Sequence, residues 1–436
     1  MYFGTIRPRV SPSLPFGRVT LPQRVVVAVA AATHFVVGIL MGTSLGFTIG
    51  ANGGSDLAVG LVSTAYFVGL MLFAPVWGAV ADVTGRRKAV LVGTSVAATL
   101  AIVPLVVVRD PWLSIGIRAL YATFAAGFMP VMLAVSSERG GGAGRGRALG
   151  FFNSARGVGI SAGQFSAGVL LGLLVPSALF AVVVGFSLLA TVVAALVETR
   201  GEPDPDAPDH LTLGTLASEV RRRLLPAVDD RAHLRRNGLR WLYVALGLRN
   251  ATVLGVIALM PVYLPGYLGL SEFEMGTLLA LNPAGQAVFM YLFGRVADDS
   301  GRKGLVVAGM AGSAVFAVVA AAAALPASSF GRLAVAAVGF VLIAASFSAM
   351  TTGALAFIGD VAPEGRESEL MGLRSTAKGF GGVVGPALVG VLAGVFGYEA
   401  AFVAASLLGF AATGLVVGLL TESHPVTRHD VSVGDD

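Results

Sequence analysis

One motif is written twice in this chain. Gly78-x-x-x-Asp82-x-x-Gly85-Arg86-Arg87 returns 216 residues later as Gly294-x-x-x-Asp298-x-x-Gly301-Arg302-Lys303, in a chain of 436 residues. Each copy closes one long apolar segment and opens the next, so the repeating unit is half the chain and not a short supersecondary motif. Apolar residues make up 55% of the sequence and charged residues 13%, against roughly 25% charged in soluble domains. The expected fold is therefore an all-α polytopic membrane protein built as two related helical lobes.

Crossing the hydrocarbon takes about 20 residues per helix. On that measure spans are predicted at 25–49, 57–80, 89–108, 113–136, 148–174 and 178–197, and again at 239–264, 274–297, 304–325, 330–358, 369–395 and 398–420. Twelve transmembrane helices in two pseudo-symmetric six-helix lobes follow, organised as a tail (1–24), a lobe (25–197), a linker (198–238), a second lobe (239–421) and a tail (422–436).

Basic residues set the expected orientation. Arg86, Arg87, Lys88, Arg139, Arg145, Arg147, Arg221, Arg222, Arg223, Arg302, Lys303 and Arg366 fall in loops on one side, and only Arg109 and Arg332 on the other. By the positive-inside rule both termini and the linker are cytoplasmic, in a multi-pass protein of the cell membrane. A net charge of +5 is thus spread over short loops, with no basic face suited to nucleic acid. The linker opens with Glu202-Pro203-Asp204-Pro205-Asp206, a solvated composition. It continues with Leu213, Leu216, Val220 and Leu224 at helical spacing, which reads as an amphipathic helix lying on the membrane or covering the ends of the lobes.

The repeated motif carries a physical requirement. Gly85 and Gly301 allow a sharp turn, and Asp82 and Asp298 at helix ends need a cation or a helix N-terminus as partner. Gly78, Asp82, Gly85, Arg86, Gly294, Asp298, Gly301 and Arg302 are accordingly read as gating residues, the aspartates as latches between lobes in one conformational state. A second duplication joins Gly150, Gly159, Gly163 and Gly168 to Gly372, Gly381, Gly385 and Gly390, small residues that let backbones approach and slide.

Inside the spans the ionisable residues away from the ends are His34, Arg118, Arg156, Arg249 and Lys378, with no carboxylate among them. A charge there is costly unless it meets water, a partner or a substrate, so each is a functional candidate. Arg249, with Asn250 beside it, lies about 12 Å beyond Trp241 at 1.5 Å per residue, near the midplane. His34 occupies the matching place in the first lobe, and the pair is the leading substrate site, the alternative being that the seventh span starts late and Arg249 sits at the cytoplasmic interface. Arg156 and Lys378 are counterparts two turns inside their helices, suited to gating an anion or to snorkelling. Asn282 and Gln286 share a helix face around Pro283, offering hydrogen bonds at substrate depth or satisfying the kink themselves.

Other chemistry finds little support. The run Gly140–Gly146 follows a membrane helix, lacks the Lys and Ser/Thr of a phosphate loop, and is expected to be a flexible loop. His210, His233, His424 and His429 have no metal-ligand spacing, and no cofactor or metal is expected. Cysteine is absent.

The residues from Gly78 to Lys88 resemble motif A of the major facilitator superfamily, and those from Gly294 to Lys303 resemble its second-lobe copy. Arg118 resembles the arginine of motif B, although Tyr121 and Ala122 stand where that pattern has Gln and Gly. The Gly150–Gly168 pattern resembles the antiporter motif C, with Gln164 in place of its proline and Pro386 retaining it in the second lobe. The resemblance implies a monomeric secondary transporter, not an enzyme, that moves a small organic solute by alternating access. Motif C implies efflux or antiport of a drug-like or metabolite substrate. The all-basic set of intramembrane charges favours anions, with Arg118, Arg249, Asn250, Asn282 and Gln286 at the substrate. A coupling proton could be carried by His34. Uptake of an organic anion, or lipid handling on the same fold, are the alternatives.

Overall fold

The computed structural model describes residues 22–199, 212–224, 232–363 and 366–423. Thirteen α-helices and no strand occur among them. The first lobe contains α1 (Gln23–Ala51), α2 (Asp56–Thr84), α3 (Arg87–Ile102), α4 (Pro111–Ala125), α5 (Phe128–Leu173) and α6 (Pro176–Leu196). A linker helix, α7 (Leu213–Leu224), precedes the second lobe. That lobe comprises α8 (Leu239–Val262), α9 (Glu272–Ser300), α10 (Arg302–Ala322), α11 (Ser329–Val361), α12 (Glu367–Phe396) and α13 (Tyr398–Leu419).

Ten helical segments among the described residues are long and apolar enough to cross a membrane. Two further segments run beside them: residues 142–173 of α5, and the 29-residue α9, which Asn282 and Gln286 make more polar. The expected flexible loop at Gly140–Gly146 is instead helical on both sides of a single kink. Gly141, at φ 59°, takes the left-handed conformation that breaks α5 into the end of one span and the start of the next. Within the linker, Leu213–Leu224 forms the helix α7, which contacts α2.

The duplication is visible in the packing. In the first lobe α5 packs on α1, as in the second α12 packs on α8; across the lobes α5 meets α9 as α12 meets α2. The repeated glycines divide between these contacts. A Cβ on Gly159 would lie 2.4 Å from the Ala32 carbonyl oxygen, and one on Gly385 would lie 2.2 Å from that of Ala251, so these positions seal helices within a lobe. Gly168 and Gly390 instead touch the opposite lobe, at Gly276 and at Asp56 and Leu57. Gln164, in the place of the proline, accepts a hydrogen bond from Thr43 on α1 at 2.7 Å.

The lobes join most closely at the end of the bundle remote from the basic loops. One apolar core runs there through both lobes, from Leu40, Leu45 and Val59 to Val256, Leu259 and Val389. Tyr398 donates to Asp56 across the interface at 2.5 Å, and Gly60 packs against the Pro386 carbonyl, 2.2 Å from a Cβ placed there. At the basic end the cores are separate, one around Phe128, Met132 and Phe152, the other around Leu242, Met350 and Phe357.

The repeated loops turn at Gly85 (φ 63°) and Gly301 (φ 84°), both in the region that glycine alone enters freely. Asp82 forms an ion pair with Arg87 at 3.7 Å, and Arg87 also binds Glu138 of α5. Asp298 lies in the last turn of α9, and its side chain falls outside the described residues. Arg302 is paired with Asp360 at 3.3 Å. Gly78 is buried in α2, whereas around Gly294 there is open space.

Candidate substrate site

Arg249 occupies the middle of α8 and is 1% exposed. Its Nε donates to Ser313 Oγ of α10 at 2.8 Å and its Nη1 to Asn250 Oδ1 at 3.3 Å. Nη2 and the Asn250 amide nitrogen have no hydrogen-bond partner among the described residues. Phe347 of α11 covers the guanidinium, with Cζ 5.4 Å from the ring centre; Lys378 Nζ of α12 lies 5.4 Å from the same ring. One aromatic side chain therefore holds two cations that the sequence places 129 residues apart.

The opposite lobe contributes Arg156 of α5, stacked 5.1 Å from the Phe35 ring, its buried Nε also partnerless. Arg374, one turn before Lys378 on α12, has a buried Nε in the same condition. The charges of Arg374, Arg156 and Arg249 all bear on Lys378, and that of Arg156 bears on Arg374. Four cations from two lobes thus lie close enough to repel one another, and among the described residues no carboxylate pairs with their free donors.

Arg118 of α4 forms a second station. It is 4% exposed, its Cζ lies 4.3 Å from the Tyr66 ring and 5.4 Å from that of Tyr121, and its Nε and Nη1 have no hydrogen-bond partner among the described residues. Gly42 makes room for it, since a Cβ there would stand 2.8 Å from Nη2. Tyr66 also feels the charge of Arg156, which links the two stations.

Two expected site residues stand elsewhere. His34 is not beside Arg249: its ring stacks on Phe128 at 3.9 Å and faces a small internal space lined by Val37, Ser95, Tyr121, Ser187 and Thr191. Equal depth along α1 and α8 did not give equal facing, because a helix turns its side chains about 100° per residue. Asn282 and Gln286 bond one another at 2.9 Å, and Ser348 of α11 donates to the Gln286 carbonyl at 3.4 Å. The two side chains thus spend hydrogen-bonding capacity on each other. Sequence reading overlooked Arg374, Phe347 and Tyr66. Arg374 was legible as the i−4 neighbour of Lys378, but it lies near enough to the start of α12 to be taken for an end residue.

The Major Facilitator Superfamily profile matches residues 25–267 and 250–435, nearly the whole chain. The chain belongs to the Major Facilitator Superfamily. It is similar to the Vibrio anguillarum "Tetracycline resistance protein, class G", 34% identical over 152 residues. That match spans about a third of the curated relative's length, 36% of it, and 34% of this chain.

Among solved structures of the superfamily, the nucleoside transporter NupG superposes with a TM-score of 0.71 over 91% of this chain and 99% of its own, at 11% identity. A bacterial homologue of the human lysosomal transporter Spinster, inward-facing and occupied, gives 0.71 over 90% of this chain and 95% of that one, at 14% identity. The human organic anion transporter MFSD10 gives 0.62 over 91% of this chain and 100% of that one, at 16% identity. At such identities these likenesses establish the fold. Membership of that superfamily, whose members are transporters and not enzymes, is what the profile match establishes.

Proposed function

We propose that this transporter exports or exchanges a small organic anion across the cell membrane, its basic loops facing the cytoplasm. One observation carries the reading: Arg249, Arg374 and Arg156 each keep a buried donor nitrogen unpartnered, with Lys378 in the same group. A buried guanidinium stays charged and is expensive to leave unpaired. A negatively charged substrate supplies the missing partner, and Phe347, Phe35 and Tyr66 supply flat apolar walls for its organic part. The lobes are closed together at the end away from the basic loops, so the anion enters from the basic end in this state. Rocking of the lobes about the glycine contacts then exposes it on the other side.

The likeness to a tetracycline resistance protein favours a second reading, export of a tetracycline-like drug. Purified protein in proteoliposomes, loaded in turn with aryl sulfonates, their neutral sulfonamides, aryl trimethylammonium cations and tetracycline, separates the two. Sulfonate flux well above that of sulfonamides and cations supports the anion reading. Fast flux of tetracycline or the cations with none of the sulfonates contradicts it.

A further inference from the structure

The two copies of the repeated loop are finished differently. In the second copy, Arg302 Nε sits 3.3 Å from Asp360, and the Glu422 carboxylate accepts from the backbone N–H groups of Arg302 and Lys303 at 2.9 and 3.0 Å. That carboxylate answers both the basic cluster and the N-terminal dipole of α10. In the first copy the equivalent residue is Arg86. It is exposed, and its side chain has no hydrogen-bond or ion-pair partner among the described residues. Its backbone N–H is taken by Thr84 Oγ1 at 3.1 Å, and the Arg86 side chain, at the N-cap of α3, makes no capping bond.

Arg86 also stands at the rim of a crevice of about 310 Å³ between α2, α3 and α4. Trp77, Val80, Val90, Ala97 and Phe124 make its walls apolar. The Trp77 indole N–H is already bonded to the Thr123 carbonyl at 2.7 Å, so the ring turns no unsatisfied polar edge toward the space. Gly93 is exposed on the rim, and nothing lies within 4 Å of where its Cβ would be, so the opening is not obstructed. The crevice is lined from different residues than the Arg249 group and lies on the flank of the first lobe.

An apolar slot in membrane-spanning helices, ending in an unanswered cation near the loop, matches one kind of amphiphile. We propose that this crevice binds an anionic phospholipid of the leaflet at the basic end, one acyl chain lying between Trp77 and Phe124 and the phosphate at Arg86. In the second lobe the equivalent cation, Arg302, is already paired with Asp360, whereas in the first Asp82 and Glu138 pair with Arg87 and leave Arg86 to the ligand. Charge selects the headgroup: a zwitterionic lipid brings its own cation, whereas an acidic one leaves its phosphate to Arg86.

The test uses the full chain in lipid nanodiscs. Of its 3 tryptophans, Trp112→Phe and Trp241→Phe leave Trp77 as the reporter in the crevice. Acyl-brominated phosphatidylglycerol or acyl-brominated phosphatidylcholine is titrated into unbrominated phosphatidylcholine, and Trp77 quenching is read. Half-maximal quenching is expected at a severalfold lower mole fraction of the phosphatidylglycerol. Arg86→Gln should erase that difference, Arg86→Lys should keep it, and Gly93→Leu should weaken quenching by both lipids. Equal quenching by the two lipids in the parent, or a preference surviving Arg86→Gln, overturns the proposal. Should the tryptophan variants fold poorly, native mass spectrometry of the unmodified chain and its Arg86→Gln form, comparing retained phosphatidylglycerol with phosphatidylcholine, makes the same decision.

Discussion

Gly168 of α5 and Gly276 of α9 meet backbone to backbone across the lobes: a Cβ on either would lie 2.6 Å from the other's Cα. No side chain can be introduced without parting the helices there, since neither neighbour is a flexible group that could yield. Gly276→Leu is therefore expected to prevent closure at this end and to stop transport. The chain has no cysteine, so single cysteines placed at the far end report the change directly. They should react faster with a membrane-impermeant maleimide in the variant than in the parent.

Replacing Arg249 with methionine should separate stability from function. The side chain is of similar length but needs no counter-charge, and exchanging buried ionic groups for apolar ones commonly stabilises by about 1–4 kcal/mol. Arg249→Met is expected to melt at a higher temperature than the parent while losing anion flux. A lower melting temperature would mean that Ser313 and Asn250 already satisfy the guanidinium in the empty protein.

His34 should matter to packing and little to selectivity. Its stack on Phe128 is worth about 0.5–1.5 kcal/mol beyond buried area. His34→Ala should lower the melting temperature, and His34→Phe should restore much of it, with the ratio of anion to neutral flux unchanged in both. A changed ratio in His34→Phe would return this residue to the substrate path.

Gly85 holds its loop at φ 63°, where a Cβ costs about 1–2 kcal/mol. Gly85→Ala should lower stability by that amount and Gly85→Asn by less, as read by thermal unfolding in detergent. Arg87 draws Asp82 and Glu138 together directly after this turn, so the alanine variant should also lose the cluster.

What the sequence made legible was whatever repeats or accumulates. The duplicated loops and the apolar runs disclosed two lobes, and the glycine spacing of α5 and α12 disclosed which helices approach closely. Facing was harder to read. His34 and Arg249 lie at matching depths in α1 and α8, yet one looks into its own lobe against Phe128 while the other meets Phe347 and Ser313. Depth follows from counting residues, whereas facing depends on how each helix is rotated by its neighbours. The cations at Arg156 and Lys378 were visible individually; their gathering with Arg374 and Arg249 depends on tertiary packing around Phe347. Asn282 and Gln286, at i and i+4, were as consistent with bonding each other as with meeting a substrate, and they bond each other.

If an anion completes the Arg249 group, the group must prefer a charged substrate to a neutral one of the same shape. Proteoliposome flux of matched aryl sulfonates and sulfonamides, similar in shape and different in charge, in the parent and in Arg249→Ala reads that preference. A charge-assisted hydrogen bond is worth about 1.5–3 kcal/mol, or roughly 10- to 150-fold in rate or affinity. The parent is expected to favour the sulfonates, and Arg249→Ala to reduce that preference by a factor in this range, leaving the slower sulfonamide flux little changed. Equal flux of both members of each pair in the parent, or a sulfonate preference untouched by Arg249→Ala, would contradict it.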